Sequence, residues 1–115
     1  MNYRTRGNRI QRKLILLLQQ DGFMVSKVEQ TGIYTKETDM WGLFDLACIR
    51  EDKLLMVQVT AGKSPHVHKG YKEFSLKYDL PSLHYQQYWW IPRVGWKVFE
   101  YASGDYKVIR DDRKL

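Results

Sequence analysis

Asp45, Gln58, Thr60 and Lys63 are the residues whose types and spacing could do chemistry in this chain. Two apolar runs, 43–49 and 54–59, flank a polar turn at 50–53, the pattern of a β-hairpin with a mostly buried interior. Each run carries one polar residue that an apolar strand does not call for: Asp45 in the first, Gln58 in the second. If the hairpin turns about Glu51 and Asp52, position 45 lies opposite position 58. Directly opposed residues share a face, with Cβ atoms roughly 4.5–5.5 Å apart. A carboxylate and an amide oxygen held that way could form half of a site for a hard divalent cation such as Mg²⁺, which prefers oxygen ligands and keeps several waters. They could equally be two satisfied buried polar groups, with Asp45 a hydrogen-bonded strand-end residue. Either way the carboxylate needs a partner, because an unpaired one among Leu43, Phe44, Leu46, Ala47 and Cys48 costs several kcal/mol. By period-2 alternation Gln58 shares its face with Met56 and Thr60. Thr60 could orient a water or a phosphate oxygen, and Lys63 could swing toward the same edge.

The elements that must position these residues follow from hydrophobic periodicity. Ile10, Leu14, Leu17 and Leu18 form a buried helical stripe, so a helix is expected over about 8–21, capped by Asn8 and stopped at Gly22. A strand follows at 23–30, a polar loop at 31–40, the hairpin, and a turn-rich segment at 61–65. Val67, Tyr71, Phe74 and Tyr78 place a second helix over 66–78, with Pro65 suited to its first turn. Strands are expected at 84–91, 96–101 and 106–109, with turns at 92–95 and 103–104 and a charged tail, 110–115, that frays. The order α-β-β-β-α-β-β-β implies a mixed sheet with helices packed on it, in one domain spanning 1–115.

Charge adds a direction. Nineteen Lys and Arg stand against 13 Asp and Glu, a net charge of +6. An excess of that size either keeps a protein soluble or favours polyanionic partners. Arg4, Arg6, Arg9, Arg12 and Lys13 precede the first acid, Asp21. Clustered cations without acids are the electrostatic footprint of nucleic-acid binding, or else a solvated helix face. Cys48, the only cysteine, excludes an intrachain disulfide and reads as a core residue. No secretory h-region opens the chain and no apolar run spans a bilayer, so a cytoplasmic or intracellular location without membrane contact is the expectation. His66 and His68 read as surface residues near a helix start rather than zinc ligands. The aromatic cluster Tyr85, Tyr88, Trp89, Trp90, Trp96, Phe99 and Tyr101 reads as core and interface, with a base-stacking platform as the alternative. Its Tyr and Trp content also suits a homodimer surface.

Helix, strand, a GLFDLACI strand, a strand ending VQVT and a second helix together resemble the PD-(D/E)XK nuclease superfamily. Within it the chain is similar to archaeal Holliday junction resolvases and to phage and bacterial nuclease-like proteins, over roughly residues 8–78. The resemblance implies an α/β fold: a restriction-endonuclease-like mixed β-sheet with an α-β-β-β-α-β core, flanked by helices. It implies a Mg²⁺- or Mn²⁺-dependent DNA endonuclease acting on duplex or branched DNA. The family's strand Asp corresponds to Asp45. Its Glu-X-Lys corresponds to Gln58, Val59 and Thr60, so Gln58 stands at the acidic position and Thr60 at the lysine. Some homing endonucleases of the superfamily carry Gln at that acidic position. Lys63 is the nearest replacement for the lysine, Gln11 occupies the place of a first-helix Glu, and Asp39 or Glu37 would supply a second carboxylate.

The resulting expectation is a metal-dependent deoxyribonuclease. Asp45, Gln58, Thr60, Lys63 and Gln11 would be its catalytic set, and Asp45, Gln58 and Asp39 would hold the metal. Arg4, Arg6, Arg9, Arg12, Lys13, Lys63 and Lys69 would contact phosphates. The alternative is a module of the same fold that binds nucleic acid without cutting it, and a third reading is an interaction protein using the aromatic strands.

Overall fold

The computed structural model describes the backbone of residues 3–28, 30–32, 35–38, 44–61 and 69–114, and the side chains of 9–28, 44–61 and 69–113. Helix α1 (Tyr3–Gln20) leads into β1 (Met24–Lys27). A two-stranded ribbon follows, β2 (Gln30–Gly32) against β3 (Thr35–Thr38). Then come β4 (Leu46–Arg50), β5 (Lys53–Ala61), α2 (Lys69–Lys77), β6 (Leu83–Ile91), β7 (Gly95–Ala102) and β8 (Asp105–Asp111), with a 3-10 turn at Asp112–Lys114. The main sheet has six strands in the order β1-β4-β5-β6-β7-β8. All neighbours are antiparallel except β5 and β6, which run parallel with α2 between them in sequence. The fold is therefore mixed α/β. Among the described residues, no helix is long and apolar enough to cross a membrane.

Alternation along the strands sorts the core into two layers. Ile10, Leu14 and Leu18 of α1 pack with Leu46, Cys48, Leu55, Val57, Tyr88, Trp96 and Val98 on one face. Tyr71 and Phe74 of α2 pack with Phe44, Met56, Tyr85, Trp89, Phe99 and Tyr101 on the other. Phe44 sits within 6.0 Å of Tyr71, Phe74 and Tyr85, ring centre to ring centre. The hairpin turns where the sequence places it: Arg50 pairs with Lys53 around Glu51 and Asp52. The second hairpin closes Ala102 on Asp105 through Ser103 and Gly104, both with positive φ, the backbone that matches strand twist in a two-residue turn. The Gly104 N–H donates to Ser75 Oγ at 3.1 Å, fixing this turn to α2.

Three expectations are corrected. α1 begins at Tyr3, so Asn8 lies inside the helix rather than capping it. The segment expected as a plain loop, 31–40, contributes to the β2–β3 ribbon. The tail does not fray through 113: Arg110 and Asp111 extend β8, and the next turn is pinned by ion pairs of 2.9 Å (Arg110–Asp112) and 3.0 Å (Arg113–Asp111). The Trp96 N–H also donates to Asp112 Oδ2 at 2.8 Å. Both pairs join residues two apart where β8 passes into the 3-10 turn, and composition alone hides that pairing.

Candidate functional site

Asp45 sits where β4 begins, and its surroundings explain why a carboxylate is tolerated there. Its N–H donates to Val57 O at 2.8 Å, although Leu46 is the residue paired with Val57. Two residues of one strand thus stand against one of the other, a β-bulge. The bulge resets the alternation: Phe44 falls in the α2 layer while Leu46 falls in the α1 layer. The expected Asp45–Gln58 facing pair is therefore not formed. Instead Asp45 Oδ2 accepts the Val59 N–H at 2.8 Å, and the residue is 7% exposed. A backbone N–H aimed at a carboxylate is a charge-assisted hydrogen bond, so part of the desolvation cost is met inside the strand pair.

Gln58 and Thr60 project into the α2 layer and are buried there. The Thr60 hydroxyl donates to Gln58 Oε1. Gln87 lies in register with Gln58 on the parallel neighbour β6. Its Nε2 is 3.2 Å from Thr60 Oγ1 and 3.5 Å from Gln58 Oε1. Tyr101 donates its phenol to Gln87 Oε1 at 2.8 Å. Burial, and then the neighbouring Tyr71 and Tyr106, push the Tyr101 phenol above its ordinary pKa, so it remains a donor at neutral pH. The chain Tyr101–Gln87–Thr60–Gln58 thus engages the polar atoms on which Gln58 and Thr60 would rely to handle water. Gln87, fully buried, is the member that sequence reasoning missed. Its signal was present: Gln86 and Gln87 are adjacent amides in a strand that is mostly aromatic and apolar.

Gln11 is buried on α1, the helix whose Ile10 and Leu14 pack on the sheet face opposite Met56. Asp39, Lys63, His66 and His68 lie outside the described residues, as do the side chains of Glu37, Arg4 and Arg6. Among the described residues, no three His, Cys, Asp or Glu side chains gather in a way that could hold a metal ion. Of the oxygens expected to hold the metal, Asp45 Oδ2 accepts a backbone N–H and Gln58 Oε1 accepts the Thr60 hydroxyl.

The structure does gather the cations of α1. β5 and β6 run parallel away from the first hairpin turn, so Ala61 and Ile91 mark a common distal end of the sheet. β7 starts there and β8 finishes there. α1 joins β1 at the opposite, hairpin end, so its N-terminal half lies toward the distal end. Lys13 Nζ accordingly stands 4.2 Å from the centre of the Trp90 ring. Arg9, Arg12 and Lys13 are exposed, and none of them forms an ion pair among the described residues. Exposed Arg93 follows β6 at the same end, with Arg110 and Arg113 nearby on the last turns. The acids there, Asp111 and Asp112, are already engaged. The Arg113 guanidinium holds the Asp111 carboxyl down at about 2, and Arg110 together with the Trp96 N–H lowers Asp112. At the hairpin end, by contrast, Asp21, Glu51, Asp52, Asp79 and Asp105 alternate with Arg50, Lys53, Lys77 and Lys107. Lys69, expected among the phosphate contacts, opens α2 and so lies on the other face of the sheet from α1.

What this arrangement can do is present a basic end to a polyanion while keeping its central polar residues internal. No protein-family model matches the chain, and no curated protein is detectably similar to it.

Proposed function

We propose that this chain is a nucleic-acid-binding module built on a restriction-endonuclease-like core, which binds through the distal end of its sheet and does not cleave. The succession α1, β1, β4, β5, α2, β6, with its parallel β5–β6 step, supports the reading of the core. The observation that carries the function is the segregation of charge: among the described residues the α1 cations are paired with no acid, and the acids at their end, Asp111 and Asp112, are held by Arg113 and Arg110, while acids and bases alternate at the other end. Arg4 and Arg6 fall in the first turns of α1, which contain no acid. Cations at the positive pole of a helix oppose its dipole, so their placement costs stability unless an anion meets them. The carboxyl ends of parallel strands are also where open α/β sheets place ligands. Gln58 and Thr60 support the absence of cleavage, since their hydrogen-bonding groups serve the sheet.

A titration with labelled duplex DNA over a range of salt tests this. Expected is binding whose logarithm falls linearly with log salt, from released counterions. No binding at low salt would overturn the proposal.

A second reading, the Mg²⁺- or Mn²⁺-dependent DNA endonuclease, is favoured by Asp45 itself, a carboxylate retained at a bulge, since bulges re-aim side chains beside active sites. Supercoiled, linear and four-way-junction DNA incubated with either metal, beside Asp45→Asn, separates the two readings. Cleavage abolished in the variant establishes the enzyme; binding without cutting leaves the module.

A further inference from the structure

Trp90 is the one tryptophan among the described residues that stands half-buried at the rim rather than in the core. It pairs across the strands with Trp96, whose ring meets it edge-on at 5.0 Å and 64°. Trp96 is only 4% exposed, so it holds the Trp90 ring from the core side. Lys13, an exposed side chain on a flexible stem, reaches over the ring to 4.2 Å from its centre. Arg9 stands one helical turn before Lys13, on the same side of α1. A rigid indole held by its neighbours, covered by a movable cation and flanked by another, has the parts of a single-strand site: a π-face for a base and charges for the phosphates beside it.

We infer, resting on the nucleic-acid reading above, that Trp90 is a stacking platform for an unpaired nucleobase and that single-stranded polynucleotide is the preferred ligand of the distal end. In the free protein Lys13 covers the ring. When a base arrives, Lys13 swings aside and meets the adjacent phosphate, exchanging a cation–π interaction for an ion pair. Paired bases in a duplex keep their faces inside the stack and cannot use the ring, so duplex engages only the cations.

The test compares oligothymidylate of about 15 nucleotides, within the span such sites cover, with duplex of the same length, at low salt. Trp90→Leu is expected to weaken oligothymidylate binding about tenfold, the loss of one stacked base, and to leave duplex binding unchanged. Lys13→Gln is expected to weaken both. Equal losses on both ligands in Trp90→Leu, or no loss on either, would overturn the inference while leaving the nucleic-acid reading intact. Absence of binding to either ligand by the unaltered protein would overturn that reading and this one together. Should Trp90→Leu fail to fold, Trp90→Phe keeps a ring at the position. Oligothymidylate is expected to quench the tryptophan fluorescence of the unaltered protein and not of Trp90→Phe; quenching that persists in the variant counts against the platform.

Discussion

At the centre of the sheet Gln58, Thr60, Gln87 and Tyr101 are buried and hydrogen-bonded to one another, whereas at its distal end Arg9, Arg12 and Lys13 stand in water with no acid paired to them among the described residues. Both groups are polar residues in a small α/β protein, but their surroundings assign them opposite roles. Inside, a polar atom without a partner costs more than its hydrogen bond contributes, so the network is held to one arrangement and acts on stability. Outside, each cation is solvated and adds little to the fold, so its value lies in what it meets. Polarity in an apolar strand is therefore not by itself a sign of chemistry. Of the residues that the sequence singles out as catalytic, Asp45, Gln58, Thr60 and Gln11 are buried, whereas Arg9, Arg12 and Lys13, expected as phosphate contacts, are exposed.

The largest effect is expected from cutting the network at its middle. Gln87→Leu keeps the volume but removes the Gln87 Oε1 acceptor of the Tyr101 hydroxyl and leaves Gln58 and Thr60 one donor short. Unfolding in urea is expected to show a loss of about 3 kcal/mol, from several buried groups left unsatisfied. Tyr101→Phe should cost less, about 1 kcal/mol, since only Gln87 Oε1 loses a donor. Neither substitution should alter the affinity of the folded protein for DNA. Weakened binding with unchanged stability would move the network from the fold to the functional site.

The reciprocal experiment removes charge at the distal end. Replacing Arg9, Arg12 and Lys13 together by Gln is expected to change stability by no more than about 0.5 kcal/mol, as surface substitutions do. The slope of log affinity against log salt should become shallower by about 0.9 for each duplex phosphate that is no longer neutralised. An unchanged slope would show that the polyanion meets another surface.

A smaller effect is expected from the acids that share this end. Asp111 and Asp112 have folded pKa values below the ordinary 3.8, because Arg113 and Arg110 respectively favour their charged forms. A carboxylate with a depressed folded pKa contributes stability that is fully present above its unfolded pKa. That contribution is lost as pH falls through the folded value, about 2 for Asp111. Acid melting curves between pH 4 and about 2 should therefore report the anchoring of the last turn. Asp112→Asn keeps an acceptor for the Trp96 N–H but loses the ion pair, and should destabilise by about 1 kcal/mol or less at neutral pH, screened by solvent. It should also expose the positive charge of Arg110 and slightly strengthen DNA binding.

How much of this was legible in the sequence depends on whether a feature is local. The hairpin register follows from alternation and a two-residue turn, and Arg50 does pair with Lys53. The α1 stripe of Ile10, Leu14 and Leu18 is likewise a periodicity, and all three are buried. The bulge at Asp45 is not local. It depends on how β5 lies against β4 at their last step, and one inserted residue turned an apparent Asp45–Gln58 pair into an Asp45–Val59 backbone bond. Gln87 is hidden for a related reason. Its partner is far away in sequence, across a parallel step that only α2 establishes, so the amide is visible in its strand but what it bonds to is not. Trp90 is visible as one aromatic among many; its half-exposure and the cation above it belong to the packing of α1 on the sheet.

A last test uses Cys48, which lies on β4 opposite Leu55, on the hairpin side of the central network. Burial pushes its thiol up to about 12, and the side chain is inaccessible. A thiol reagent at pH 8 should leave the native protein unmodified, because the thiolate is the reactive form and the sulfur is covered. Reaction then proceeds only through molecules that open. If polynucleotide binds the native distal end and not the unfolded chain, saturating it should slow labelling in proportion to the occupied excess, about a hundredfold at ligand one hundred times its Kd. Gln87→Leu should speed labelling without changing that ratio, whereas the triple Gln variant should leave the basal rate alone and abolish the ligand's protection. A ligand that protects Cys48 equally well in the triple variant would show that the α1 cations are a solvated face after all.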